Sequence, residues 1–270
     1  MDAKHLTVVH QNLNTLLKAK ADALPKGFNQ TRFLQNCMTV LQDTKDIESV
    51  EPKSVARTML KGAFLGLDFF NKECYAIVYN KKAGNSWIKT LEFQTDYKGE
   101  IKLAKKYSIN TIKDIYAKLV REGDEFEEGV KDGKQVINFK PKPFNNNKIL
   151  GAFAVAYYEN GSMIYDTMSV EEIESVKKAY AKADKEGKYS KAWIESTGEM
   201  YKKTVLRRLC KLIELDFDTI EQKQAFDEGS GMEFKQEGKT DKPKSSLEAE
   251  FVEAEYEEVE ESETSEVVEE

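Results

Sequence analysis

Histidine is nearly missing from this chain of 270 residues. The two present, His5 and His10, both fall in the first helical stripe. A histidine-based catalytic triad or a His/Cys metal centre in the body of the protein is thereby excluded by inventory. Cysteine is almost as scarce. Cys37, Cys74 and Cys210 lie far apart in apolar patterns and make no CxxC pair, so they are expected as reduced core thiols. No apolar run is long enough to span a bilayer, and Met1-Asp-Ala-Lys-His5 lacks the apolar centre of a signal peptide. The expectation is a soluble, cytoplasmic protein with no membrane partner. A phosphate-binding loop is lacking too. Gln236-Glu-Gly-Lys-Thr240 resembles the end of one, but the required earlier glycine is Glu233. ATP-driven chemistry is not expected, and no cofactor is.

What is present is charge, unevenly distributed. The formal net charge of -7 conceals two parts. Residues 247–270 hold twelve glutamates and no lysine or arginine, leaving 41 basic against 36 acidic residues in the body. The chain reads as a mildly basic domain over 1–228 followed by an acidic tail over 229–270. That tail, poor in apolar residues, is expected to be disordered in isolation. A solubilising role, an interaction tail and a competitor for the basic surface are all open to it.

Basic residues cluster twice. Between Lys177 and Lys211 stand eleven lysines and arginines against four acids. Within it, at 100° per residue, Val205, Leu206, Leu209, Leu212 and Ile213 fall on one helical arc, and Lys203, Arg207, Arg208 and Lys211 on the other. Lys202 projects from the apolar arc and must snorkel or meet a partner. The second cluster, Lys98, Lys102, Lys105 and Lys106, follows Tyr97 at helical spacing. Such a face is either a solvated amphipathic surface or lies against an anion.

The periodicities predict an α+β fold: N-terminal helices, then an antiparallel hairpin and meander sheet packed on long helices. Three helical stripes open the chain, the second capped at Asn29 or Thr31, the third starting near Pro52 and closing at Gly66. Residues 74–79 and 87–93 predict a hairpin with a basic tip. Strands are expected near 112–121, 135–140, 150–158 and 162–168, the last two joined at Asn160-Gly161. Ser169 and Glu172 predict a capping box opening a helix to about Ala183. A long helix from about Lys191 to Ile213 and a short one over 217–227 complete the body.

Backbone-directed nucleic-acid binding needs cations for phosphates and usually planar side chains for bases. Tyr97, Trp87, Phe93 and Tyr201 could supply the latter, although strand aromatics more often pack inward. Nothing resembles a helix-turn-helix, zinc finger or RNA-recognition motif, so a sequence-specific regulator is disfavoured. Glu122, Asp124 and Glu125 could in principle serve a metal-dependent nuclease, but one acidic run at a strand end is more often a turn. What is left is a protein that coats strands, bends them, or brings complementary strands together.

Several segments resemble the RecT family of phage single-strand annealing proteins. Leu65-Gly-Leu-Asp68 resembles its LGLEP turn, and Asp96-Tyr-Lys-Gly-Glu-Ile-Lys-Leu-Ala-Lys105 its GYRGMIDLAR segment. Leu119-Val-Arg-Glu-Gly-Asp-Glu-Phe126 resembles VVREGDEF, and Trp193 with Glu199–Leu209 resembles W…EMAKKTAIRRL. Asp68-Phe69 and Asp96 depart from the family's Glu-Pro and glycine. The resemblance, over roughly residues 20–215, implies ATP-independent binding and annealing of single-stranded DNA in phage recombination. It also implies homo-oligomeric rings or filaments, and a 5′-to-3′ exonuclease and host single-strand-binding protein as partners. By position it points to Lys98, Arg121, Lys202, Lys203, Arg207 and Arg208 as DNA contacts. Lys102, Lys105, Lys106, Lys211 and Tyr97 join them from the basic clusters.

Overall fold

A computed structural model describes residues 3–84, 86–181, 187–189 and 191–229. These lie within one compact unit, Met1–Gly231; the remainder of the chain, with the predicted acidic tail and Gln236–Thr240, is outside the described residues, as is the predicted helix end at Ala183. The fold is α+β.

Helices α1 (Ala3–Ala19), α2 (Gln30–Gln42) and α3 (Pro52–Leu65) come first. Their stripes bury Val9, Leu13, Leu17, Cys37, Leu41 and Met59 in one core. Asn29 rather than Thr31 caps α2, accepting from the Arg32 N–H at 2.9 Å. Gly66 closes α3 at φ +65, where a side chain would be strained. Asp68 then builds the turn, accepting from the Phe70 N–H and the Asn36 amide. The Asp68 carboxylate thus organises the turn itself.

Strands β1 (Cys74–Ala83) and β2 (Ser86–Thr95) form a two-stranded antiparallel ribbon running from Cys74↔Thr95 to Ala83↔Ser86. Its base buries Leu91 and Phe93 in the helical core. The ribbon is longer than residues 74–79 and 87–93, because Asn80–Ala83, rich in turn-type residues, continues the ladder.

After α4 (Tyr97–Tyr107) comes a three-stranded antiparallel sheet in the order β3 (Ile112–Arg121), β6 (Ile149–Tyr158), β7 (Met163–Ser169). Between β3 and β6 the chain inserts a separate hairpin, β4 (Glu125–Lys131) with β5 (Lys134–Lys140). Strand β4 was not among the predicted strands. Its charges, Glu125, Glu127, Glu128 and Lys131, obscure the alternation, yet Asp132-Gly133 at φ +50 and +74 is a two-residue hairpin turn.

Strand β6 is central and buried on both faces. Ala152, Ala154 and Ala156 face one core, with α7 (Thr197–Leu212), while Phe153 and Val155 face the other, with Ile137, Phe126 and Phe139 of the β4–β5 hairpin. The alternation has a purpose that steric reasoning supplies: three methyl groups let a helix lie close, and a ring on the other face fills the space under a hairpin.

The predicted capping box is present: Ser169 Oγ accepts from the Glu172 N–H, Glu172 returns a bond to the Ser169 N–H, and α5 spans Val170–Tyr180. The predicted long helix is instead two, α6 (Lys191–Glu195) and α7, separated at Ser196. Helix α8 (Ile220–Gly229) returns to the first core, burying Ala225.

Because the alanine stripe sets the distance between α7 and the sheet, Ala154→Leu is expected to destabilise the protein by about 1–3 kcal/mol through overpacking. Urea denaturation of the variant against the parent measures it.

Candidate nucleic-acid interface

Helix α7 buries Val205, Leu206, Leu209 and Cys210 against the sheet. Leu212, predicted for the apolar arc, is 53% exposed because the helix ends there. The opposite arc meets anions within the fold. Lys203 Nζ lies 2.9 Å from Asp96 Oδ2, and Arg207 Nε donates to Glu100 Oε1 at 3.0 Å. Asp96 caps the N-terminus of α4 and Glu100 stands one turn on, so pairing advances along both helices in the same order and α4 and α7 run side by side in the same direction. Beyond both helices the chains clasp again, Asp216 N–H donating to the Tyr107 carbonyl at 2.8 Å. Gly99 lets α4 approach the chain ahead of β1: a Cβ there would sit 2.2 Å from the Glu73 carbonyl oxygen.

Arg208 turns to the sheet. Its guanidinium makes a two-point contact with Asp166 of β7, donates to the Thr167 carbonyl, and approaches Glu172 at 3.8 Å. Lys202, whose place on the apolar arc required a partner, reaches Glu199 at 2.6 Å. Lys177 is also engaged internally, pairing with Glu174 and lying over the Trp193 ring at 5.3 Å. The basic cluster is therefore partly a set of fasteners. Removing Arg207 would strand the buried Glu100 carboxylate, and removing Arg208 the half-buried Asp166, so substitutions at either arginine disturb folding as well as the surface.

The α4 lysines differ among themselves. Lys98 is exposed with its ammonium in no ion pair among the described residues. Lys102 binds Glu73 at 2.7 Å and the Gly66 carbonyl at 2.9 Å. Lys105 stands 3.8 Å from exposed Asp114, a contact worth little in solvent. Lys106 donates to the Tyr107 hydroxyl and lies over its ring. Lys211 is exposed at the end of α7. Tyr97 is half-buried, 5.8 Å from the Lys203 ammonium.

Among the aromatics, Phe93 and Tyr201 are buried as expected for strand and helix cores. Trp87 is not: at 71% exposure it sits opposite Lys82 near the ribbon tip, beyond the helices that cover the base. Exposed Lys81 and Lys82 share that tip.

Arg121 stands at the far end of β3. Its N–H donates to Asp124 Oδ2 at 2.8 Å and its guanidinium to the Asn147 carbonyl at 2.7 Å. Asp124 Oδ1 also accepts from the Lys142 N–H and the Asn145 amide. Burial acts to raise the Asp124 carboxyl, but these donors together hold it below the ordinary range. Within the acidic run, the Asp124 carboxylate is accordingly a loop anchor, while Glu125 pairs with Lys140 across the hairpin. Among the described residues no three His, Cys, Asp or Glu side chains gather where a metal ion would sit.

A helix pair carrying cations along its length thus sits on an α+β body with an exposed, basic ribbon tip. The RecT family matches residues 31–244, and the chain belongs to that family, making it a single-strand annealing recombination protein. Protein RecT of Escherichia coli (strain K12) is similar to it, 25% identical over 209 residues that cover 77% of this chain and 75% of that protein.

Glu100 gives a pH test of the ladder. Burial pushes its carboxyl up to about 7 against the pull of Arg207, Lys211 and Lys203, and its Oε2 has no hydrogen-bond donor among the described residues. The unfolded chain releases this proton near pH ~4.3. Between those values the folded state holds the extra proton, so stability falls as pH rises and levels off above about 7. Denaturation midpoints across pH 5–8 should show this slope, and Glu100→Gln should remove it.

Proposed function

We propose that this chain binds single-stranded DNA and anneals it to a complementary strand without ATP, as a homo-oligomeric ring or filament, in phage or prophage homologous recombination. No covalent step is involved. The protein screens repulsion between two polyanions and holds each strand extended with its base edges free. The observation that supports this best is the α4–α7 pair in a chain of the RecT family.

Phosphates are contacted by the outer cations of that pair, Lys98, Lys105 and Lys211, with Lys102, Lys106, Lys202 and Tyr97 beside them. Lys203, Arg207 and Arg208 hold the surface in shape through Asp96, Glu100 and Asp166, and meet DNA only where a phosphate replaces a carboxylate. The exposed tip with Lys82 and Trp87 lies on the strand's route. A 5′-to-3′ exonuclease supplies single strands in the cytoplasm of the bacterial host. Residues 1–228 form the annealing domain, and residues 229–270 form an acidic tail that meets the exonuclease or the host single-strand-binding protein. No helix among the described residues is long and apolar enough to cross a membrane.

Lys98→Glu combined with Lys105→Glu should weaken binding of a labelled single strand by about tenfold or more at moderate salt, with an unchanged thermal melt. Parent-like affinity would refute the assignment of this surface.

Deleting residues 230–270 should preserve annealing or strengthen DNA binding, because a competing polyanion is gone. Loss of binding in a folded truncation would contradict that role for the tail.

A further inference from the structure

Phe144 is 99% exposed and holds a left-handed backbone conformation, φ +54. A phenylalanine is poorly suited to both conditions. The loop that presents it is nonetheless firmly built. Asp124 grips Lys142 and Asn145 on either side, and the Asn145 and Asn147 amides both donate to the Glu122 carbonyl. The loop belongs to Lys140-Pro-Lys-Pro-Phe-Asn-Asn-Asn-Lys148, which has three lysines and no acid.

Beside this loop runs an open groove of about 610 Å³ on the sheet face turned away from α7. Lys118, Arg121 and Lys142 line it together with Tyr116 and Tyr157, whose rings lie 6.0 Å apart and 31° from parallel. Lys118 is exposed, with its ammonium in no ion pair among the described residues. The Asp124 carboxylate that also borders the groove has both oxygens committed to the loop.

We infer that this groove and Phe144 form a second single-stranded DNA contact, separate from the α4–α7 surface. A nucleobase stacks on Phe144, and the adjoining phosphates run along Lys142, Lys118 and Arg121. Charge complementarity selects the occupant: an apolar protein partner would have to bury these cations, whereas a polynucleotide neutralises them while offering a planar face to the exposed ring. The inference rests on the annealing reading and adds to it a place where a strand is gripped on the opposite side of the sheet.

The test uses the full chain and an oligothymidylate probe. Phe144→Ala should raise the dissociation constant about 5- to 100-fold, as loss of one base–aromatic stack does, with an unchanged melt because the ring is exposed. Phe144→Trp should restore affinity and add tryptophan quenching on DNA binding beyond that of the parent. Lys118→Ala with Lys142→Ala should lower the slope of log K against log salt by about 1.4, two phosphates' worth. Parent-like affinity in Phe144→Ala, with no added quenching in Phe144→Trp, overturns this site and leaves the annealing reading intact. Parent-like DNA binding with broken oligomers in mass photometry overturns it in favour of a second copy seated on Phe144. Absence of single-strand binding by the parent itself removes both readings.

Discussion

A ladder of buried and half-buried ion pairs between α7 and its neighbours is the constraint on which the architecture turns. Asp96 and Glu100 on α4 and Asp166 on β7 each take one cation from α7. Each is separated from its partner by a long stretch of sequence, so the pairs tie the segment after the ribbon and the last sheet strand to one helix. Ions withdrawn from water contribute little net stability once their desolvation is counted, but breaking one pair leaves a costly unpaired charge. Their effect is to fix the angular setting of α7, and hence where the remaining lysines emerge.

The alanine stripe of β6 supplies the complementary, apolar half of that setting. Methyl groups determine how closely α7 lies on the sheet, and the ion pairs determine how it is rotated. Two carboxylates belong to the same logic. Asp96 caps α4 while engaging Lys203, and Asp68 closes the turn into the ribbon. An anion beside a basic surface looks unfavourable in one dimension and is a fastener in three.

Much of this was legible in the sequence. The three opening stripes, the capping box at Ser169, the Asn160-Gly161 turn and the burial of Val205 and Leu209 follow from period and cap chemistry, which are local. The partners of Lys203, Arg207 and Arg208 were not legible, because a helical projection shows which residues share a face and not what that face meets. Strand β4 was missed where glutamates outweighed the Asp132-Gly133 signal. Trp87 was expected inside because strand aromatics usually pack inward, and only the length of the ribbon beyond its supporting helices exposes it. The role of Asp124 lay in the same class: a carboxylate after a strand reads equally as turn, ligand or anchor until the loop it grips is in view.

Seen from several nanometres away, a cation with a carboxylate three ångströms from it is a dipole, and its field dies off far faster than that of a lone charge. The α7 fasteners therefore contribute little to drawing a distant polyanion inward, however many arginines the helix carries. The field that reaches distant solvent is set by the peripheral ammonium groups, while the arginine-rich helix governs the shape of the surface between them.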